Sequence, residues 1–187
     1  DVISEFGEDS AFAQARVYAR FPKSSVGKVI PYTWAELAVE NETPIESNVI
    51  RLGVDIASDG GDEFVIAVAD GYSAKIVHRS SGRANANAVD VAGVVMLEIE
   101  RAVEAHSARG VTDRVRVKID TIGVGWGVVS LLDRWVKERA TKADIVGVNV
   151  AERPKDANKF KNQRAEMWWN ARSLLQPRDG KQEVRLE

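Results

Sequence analysis

Two aspartates that each end an apolar, strand-like run are the residues best suited to chemistry in this sequence. Asp55 ends the run over 49–55 and Asp120 ends the run over 115–120, and a glycine-rich turn follows each of them. A carboxylate at the end of a buried strand is costly unless a cation lies beside it. If the two strands are neighbours in one sheet, both carboxylates meet at one edge, where they would bind Mg²⁺ or Mn²⁺ because these ions favour oxygen ligands.

Such a pair is typical of two-metal phosphate chemistry, in which one ion activates a water and a second, about 4 Å away, stabilises the leaving oxygen. The alternative is that each aspartate only caps a turn or a helix start. Asp62, which follows Gly60 and Gly61, is either a turn residue or an additional metal ligand that the hairpin folds back toward Asp55.

Two further segments carry weaker signals. Gly123, Gly125 and Gly127 precede a helical pattern and predict a tight strand-to-helix turn, or a close approach of the backbone to a phosphate. A basic run after the last predicted strand is either a solvated face or a contact surface for DNA phosphates. The members of this basic run are Arg153, Lys155, Lys159, Lys161 and Arg164.

Composition excludes several classes of protein. The chain has 187 residues, of which 44% are hydrophobic, so one domain with a real core is expected. The formal net charge of -2 gives no global basic field, although bases outnumber acids over 151–187. There is no cysteine and there are only two histidines, which excludes disulfides, thiolate zinc sites and a histidine-rich metal cluster. The sequence has no apolar stretch of about 18 residues, so no membrane span is expected.

The hydrophobic pattern after a flanking N-terminal segment predicts three strands, then helix, strand, helix, strand and helix. Strands are expected over 49–56, 63–69, 72–78, 114–119 and 145–150, and helices over 87–108, 126–140 and 160–175. A short helix is also expected from an N-cap at Thr33 to Asn41. Met167, Trp168 and Trp169 are predicted to be core and helix-packing residues rather than residues that stack on bases. This order indicates a ribonuclease-H-like α/β fold, a mixed sheet of about five strands with helices on both faces.

Several segments, spread over nearly the whole chain and in the same order, resemble the C-terminal nuclease domain of the large terminase subunit of tailed bacteriophages. The two acid segments are LGVDIA over 52–57 and IDTIGVG over 119–125. The others are EFGEDS over 5–10 through Phe21 and Pro22, IPYTW over 30–34 and KFKNQRAEMW over 159–168. Any one of these segments is a weak signal, whereas the set is specific.

The resemblance implies a ribonuclease-H-like, metal-dependent endonuclease that cuts concatemeric viral DNA at the start and end of genome packaging. It implies Asp55 and Asp120 as catalytic metal ligands for Mg²⁺ or Mn²⁺, with double-stranded DNA as substrate. In such a viral protein the partners would be an ATPase motor domain, the portal and the small terminase subunit, with no membrane. The implied location is the host cytoplasm during assembly, and not the virion.

The sequence departs from the family in one respect. The family's third catalytic acid is an aspartate near the start of a final helix, in a Pro-Asp-Arg-Ala-like motif, and nothing like it follows the helix over 160–175. Asp179 has no helical pattern after it, so it is not assigned that role. We therefore expect the third acid beyond Glu187, with residues 48–187 as a C-terminally incomplete nuclease domain and 1–47 as a linker from the motor.

Two alternatives stay open at this point. One is a non-catalytic ribonuclease-H-like docking module of a packaging motor, and the other is a nuclease that resembles Holliday-junction resolvases. Actin-like and sugar-kinase ATPases also place an aspartate on the first strand, but they need a second similar domain, for which 187 residues are too few. A metal titration would separate a nuclease from a docking module.

Overall fold

The computed structural model of the chain describes residues 17–18, 28–45, 47–57, 60–123 and 125–187. The expected flanking segment before residue 28, including the family-like EFGEDS and Phe21-Pro22, therefore lies almost entirely outside the described residues, as do Asp59 and Val124. The helices are α1 (Tyr32–Glu40), α2 (Ala88–Ala108), α3 (Gly125–Glu138) and α4 (Gln163–Leu175), with a 3₁₀ turn over Gly82–Asn85. The strands are β1 (Ile50–Asp55), β2 (Glu63–Asp70), β3 (Ser73–Ser81), β4 (Val115–Asp120), β5 (Ala143–Val148) and β6 (Arg185–Leu186).

The strands form one mixed sheet of six strands in the order β5-β4-β1-β2-β3-β6. β1 pairs antiparallel with β2, and β2 pairs antiparallel with β3. The other neighbours, β1 with β4, β4 with β5 and β3 with β6, are parallel. The predicted fold class is confirmed. The sixth strand was missed because β6 has only two residues and carries no periodic signal of its own.

Alternation along the central strands separates the two faces of the sheet. In β1 every second side chain is buried and the others are exposed, and β4 repeats the pattern up to Asp120. The buried set faces α2 and α3, which cover one face of the sheet, hereafter the core face. Fully buried members of this core include Ile66, Val95, Ile99, Val117 and Leu132. Burial of this apolar area supplies most of the folding free energy.

His106 fixes the start of β1 against the end of α2. Its ring is only 2% exposed, and its Nε2 accepts a hydrogen bond from the backbone N–H of Ile50 at 2.7 Å. Because Nε2 accepts, the ring proton sits on Nδ1, which donates to the carbonyl oxygen of Asp113 at 3.2 Å. This histidine of α2 therefore contacts both β1 and the loop before β4. β1 and β4 are the two strands that end in the candidate acids.

Among the described residues, the opposite face of the sheet, hereafter the open face, is bordered by a helix and not covered by one. Met167 of α4 lines a cavity on this face, and α4 contains no buried residue. The core part of the prediction for Met167, Trp168 and Trp169 is therefore wrong, since they are 42%, 58% and 49% exposed. The reason is that α4 carries these side chains on an exposed surface, where Trp169 lies near Phe160 and the Arg172 guanidinium.

The short N-terminal helix begins earlier than predicted. Pro31, not Thr33, is the N-cap residue, and Thr33 lies inside α1. Pro31 supplies no side-chain cap, and its carbonyl oxygen accepts a hydrogen bond from the backbone N–H of Trp34 at 3.1 Å. α1 is tied to the C-terminal segment, because Asn41 Nδ2 donates to the carbonyl oxygens of Gln182 and Val184 at 2.9 and 3.1 Å. The division between a linker over 1–47 and a domain over 48–187 stays a prediction.

None of the helices in the described part of the chain has the length and apolar character that a membrane span needs.

Candidate active site

The two aspartates lie side by side at one edge of the sheet. The parallel pairing of β1 with β4 runs in register from Arg51 opposite Arg116 to Val54 opposite Ile119, which places Asp55 and Asp120 next along the two strands. Adjacent strands are about 4.8 Å apart, and paired residues point to the same face. The acid pair, Asp55 with Asp120, is therefore on the open face of a single sheet, as a shared metal site requires.

Electrostatics shows that this pair is coupled. The pKa of Asp55 is raised above its ordinary value of 3.8, first by partial burial, then by the charge of Asp120, and then by that of Asp62. A carboxylate whose ionisation is made costlier by a neighbouring negative charge attracts a proton or a cation to that place. Because the site is open to solvent, a divalent cation can reach it directly.

The turn after Asp120 holds that side chain and closes on its backbone. Asp120 Oδ1 accepts a hydrogen bond from the backbone N–H of Ile122 at 2.9 Å, and no bond within the described residues engages Oδ2. Gly125, the first residue of α3, packs against the same strand end, where an added Cβ would lie 1.9 Å from the carbonyl oxygen of Asp120. A larger residue at position 125 would therefore clash with the backbone of Asp120. This close approach confirms the predicted tight strand-to-helix turn.

Asp62 lies just before β2 and is exposed, and its charge contributes to the raised pKa of Asp55. The hairpin thus brings a third acid into the electrostatic range of the pair. Asp179, by contrast, lies in a tight turn with φ of 49°, followed by Gly180 with φ of 75°, between Arg178 and Lys181. This turn leads into β6, at the edge of the sheet away from β4, so Asp179 is not part of the acid site.

The basic run over 153–164 is a loop that leads into α4, and its members differ in their surroundings. Lys159 forms an ion pair with Asp156 at 3.0 Å, and the backbone N–H of Lys155 donates to Glu166 Oε2 at 2.8 Å. Arg153, Lys161 and Arg164 are exposed and have no ion pair within the described residues. The loop is tied to the strand end after β5, because the backbone N–H of Arg164 donates to the carbonyl oxygen of Val150.

The donor set fits a hard divalent cation. Among the described residues there is no group of three or more histidine, cysteine or acidic side chains that could hold a metal by itself. Mg²⁺ commonly takes only one or two protein carboxylates and keeps several waters or substrate phosphate oxygens as its other ligands. Asp55 and Asp120, with a free Oδ2 on the latter, match that requirement, whereas a site for zinc would need nitrogen or sulfur ligands.

The acid pair lies at one end of a trough on the open face. A cavity of about 520 Å³ is lined by small or apolar side chains and by two cations. The lining includes Gly53, Ala67 and Ala69 on the sheet, Met167 on α4, the acid pair, Arg51 and Lys118. Sequence reasoning missed these two cations because it treated β1 and β4 as buried runs. The signal was the strict alternation of apolar with basic or small residues.

Two parallel strands that end in acids, set in a mixed sheet with this strand order, define an α/β fold of the ribonuclease-H-like class. No family model matches the chain, and no curated protein matches it in sequence. Among solved structures, the nuclease domain of the large terminase subunit gp2 of bacterial virus Sf6 has a similar fold. The TM-score is 0.57 over 85% of this chain and 73% of that one, at 14% identity.

Structures of a mutant of the same Sf6 domain are also similar. The one with manganese has a TM-score of 0.53 at 15% identity, and the one with calcium has a TM-score of 0.51 at 16% identity. Each covers 85% of this chain and 73% of the other. At such identities the likeness concerns the fold, so the fold expected from the resemblance to terminase nuclease domains is confirmed.

Proposed function

We propose that this chain is the nuclease domain of a tailed-phage large terminase subunit and acts as a divalent-metal-dependent DNA endonuclease. The observation that carries the proposal is the in-register placement of Asp55 and Asp120 on neighbouring parallel strands, where the charge of Asp120 raises the pKa of Asp55. A structural pair of strand-end caps would have no reason to bring two like charges together. The similar Sf6 structures with manganese and calcium support the same view.

In this proposal Asp55 and Asp120 hold Mg²⁺ or Mn²⁺, and Asp62 is the first candidate for a further ligand. When bound, the ions would supply an activated water and charge stabilisation at a scissile phosphate. The chain's own contribution is positional. The Ile122 N–H orients Asp120, Gly125 lets α3 close on the strand end, and His106 fixes the start of β1.

The substrate we propose is double-stranded, concatemeric viral DNA, cut during genome packaging in the host cytoplasm. The full protein would then include an ATPase motor and would act with the portal and the small terminase subunit. The members of the basic loop are all exposed, and we propose that they contact DNA phosphates: Arg153, Lys155, Lys159, Lys161 and Arg164. Such contacts carry no sequence information, so little sequence preference is expected from them.

The decisive experiment pairs metal binding with cleavage. Calorimetry with Mn²⁺ and with Mg²⁺ should show binding to the unaltered chain that is lost in Asp55→Asn, and supercoiled plasmid should be nicked and linearised in the presence of Mn²⁺. Asp179→Asn is the matched control, because it removes the same charge far from the acid pair. Metal binding that persists unchanged in Asp55→Asn would contradict the site.

Asp62→Asn separates the alternatives for the third ligand. A loss of cleavage comparable to that of Asp55→Asn would place the third acid within this chain, and unchanged cleavage would place it elsewhere. Metal binding without any cleavage, under every divalent metal, would favour the non-catalytic docking module. A strong preference for four-way DNA junctions over plasmid would favour the resolvase-like nuclease.

A further inference from the structure

We infer that three basic residues on the open face form a track for the phosphates of one DNA strand as it approaches the acid pair. Arg51, Arg116 and Lys118, hereafter the cationic ladder, alternate with buried residues on β1 and β4. The inference rests on the proposed function, because it supplies the DNA contact nearest to the site of cleavage. It differs from the basic loop over 153–164 in its elements, because the ladder lies on β1 and β4 whereas the loop follows β5 and leads into α4.

The register of the strands sets the geometry of the ladder. Arg51 lies opposite Arg116, Lys118 lies opposite Gly53, and the acid pair is the next row along the same face. Successive rows are two residues apart, about 6.6 Å at the rise of a parallel strand. That step is comparable to the spacing of successive phosphates along an extended nucleic-acid strand. The ladder therefore offers one row of positive charge for each phosphate that precedes the one at the acids.

The charges of the ladder are unsatisfied within the described residues. All three side chains are exposed, and none forms an ion pair there. Asp144 lies opposite Arg116 on β5, but its carboxylate already binds Arg114 Nε at 2.5 Å. Like charges placed directly opposite on neighbouring strands are destabilising, so Arg51 and Arg116 together cost stability unless an anion lies between them. A phosphodiester chain is such an anion.

The floor beside the ladder leaves room for that chain. Gly53, Ala67 and Ala69 are small residues that line the trough on the sheet, and Met167 of α4 lines it as well. Arg51 and Lys118 line the same cavity as Asp55 and Asp120, which makes the basic and acidic parts one continuous surface. The basic residues supply affinity and the acids bind metal, and neither group neutralises the other through an ion pair.

The test compares two triple variants with the same change in charge. The ladder variant is Arg51→Gln, Arg116→Gln and Lys118→Gln, and the control is Arg83→Gln, Lys142→Gln and Lys181→Gln, three exposed bases without ion pairs within the described residues. Binding of labelled duplex DNA is followed by fluorescence anisotropy in EDTA, between about 50 and 200 mM salt. The ladder variant should bind roughly 10- to 100-fold more weakly at about 0.1 M salt, with the salt slope reduced by about 2 to 3.

A charge-conserving variant guards against misfolding. Arg51→Lys with Arg116→Lys should keep the affinity within about twofold, because a phosphate contact needs the charge more than the shape of the group. Loss of affinity in this variant, equal losses in the ladder and control triples, or no loss in the ladder triple would each overturn the inference.

Failure of the ladder and failure of the nuclease are distinguishable. Cleavage that needs Asp55 and Asp120, with a ladder triple that binds DNA as tightly as the unaltered chain, overturns the ladder and leaves the nuclease in place. Ladder-dependent binding without any cleavage supports the ladder and counts against the nuclease.

Discussion

The two faces of the same sheet use the same strands for different purposes. On the core face, β1 and β4 present Leu52, Val54, Val117 and Ile119, which are buried under α2 and α3. On the open face, the residues between them are basic, acidic or glycine, and Met167 of α4 borders them. One strand therefore contributes stability through one set of side chains and candidate chemistry through the other, at positions only one residue apart.

This separation explains how charged groups can lie at the centre of a sheet without weakening it severely. The open face leaves Asp55, Arg51 and Lys118 hydrated, so none of them carries the full penalty of a buried charge. The raised pKa of Asp55 is the residual cost of the arrangement. Substitutions at neighbouring positions should therefore separate activity from stability, and the comparison can be tested residue by residue.

The largest effect is expected from Asp120→Asn on the open face. Cleavage should fall roughly 1,000-fold, because metal ions contribute several kcal/mol of charge stabilisation at a phosphoryl group and the variant weakens their binding. The melting temperature should stay within a few degrees, since the amide retains the hydrogen bond from Ile122. Plasmid cleavage and a thermal melt on the same preparation measure both. A large drop in melting temperature would contradict the separation of the faces.

The adjacent core-face residue should behave in the opposite way. Ile119 is fully buried, and Ile119→Ala should lower the free energy of unfolding by about 2–5 kcal/mol, through lost burial and a residual cavity. Urea denaturation measures this change. Val146→Ala is a control, because Val146 is an exposed strand residue. Equal costs for the two variants would mean that the open face is covered in solution.

A smaller effect, on both stability and cleavage, is expected at Gly125, where α3 meets the end of β4. Gly125→Ala introduces a Cβ that would lie 1.9 Å from the carbonyl oxygen of Asp120, so α3 or the strand end must shift. We expect a loss of roughly 1–3 kcal/mol from overpacking, together with reduced cleavage. Gly127→Ala is the matched control, because an added Cβ there meets no atom within 4 Å. A neutral Gly125→Ala would contradict the described closeness.

The smallest effect concerns pH and the acid pair. Because the pKa of Asp55 is raised, its ionisation opposes folding; the penalty is complete above the raised pKa and disappears as pH falls toward 3.8. Asp55→Asn should therefore stabilise the metal-free chain at neutral pH, by no more than about 1 kcal/mol after solvent screening. The gain should vanish in melts near pH 4. A destabilised Asp55→Asn at neutral pH would mean that Asp55 has a favourable partner.

Asp70 provides the contrast within the same titration. Its pKa is lowered, first by the hydrogen bond from Arg109 at 2.6 Å, so its contribution to stability is present above 3.8 and is lost as pH falls through the lowered pKa. Asp70→Asn should therefore destabilise the chain at neutral pH by up to about 1 kcal/mol, opposite in sign to Asp55→Asn. Parallel pH series on the two variants measure both signs.

Much of the fold was predictable because its signals are local. The apolar runs that end at Asp55 and Asp120 and the long helical pattern of α2 follow from residues that are close in the sequence. The errors occurred where local signals were weak or ambiguous. β6 is too short to show a period, and the aromatic residues of α4 resemble core residues although only the assembled sheet decides whether a second layer covers them.

The sequence by itself determined the fold class, the strand ends at Asp55 and Asp120, and the glycine turn that follows Asp120, since each depends on residues adjacent in the chain. Tertiary structure decided the rest. Which strands are neighbours, and in which register, set the coupling of Asp55 to Asp120 and the placement of Arg51 opposite Arg116. Distance and shared exposure are properties of the assembled sheet, because residues 65 positions apart become neighbours only when β1 and β4 pair.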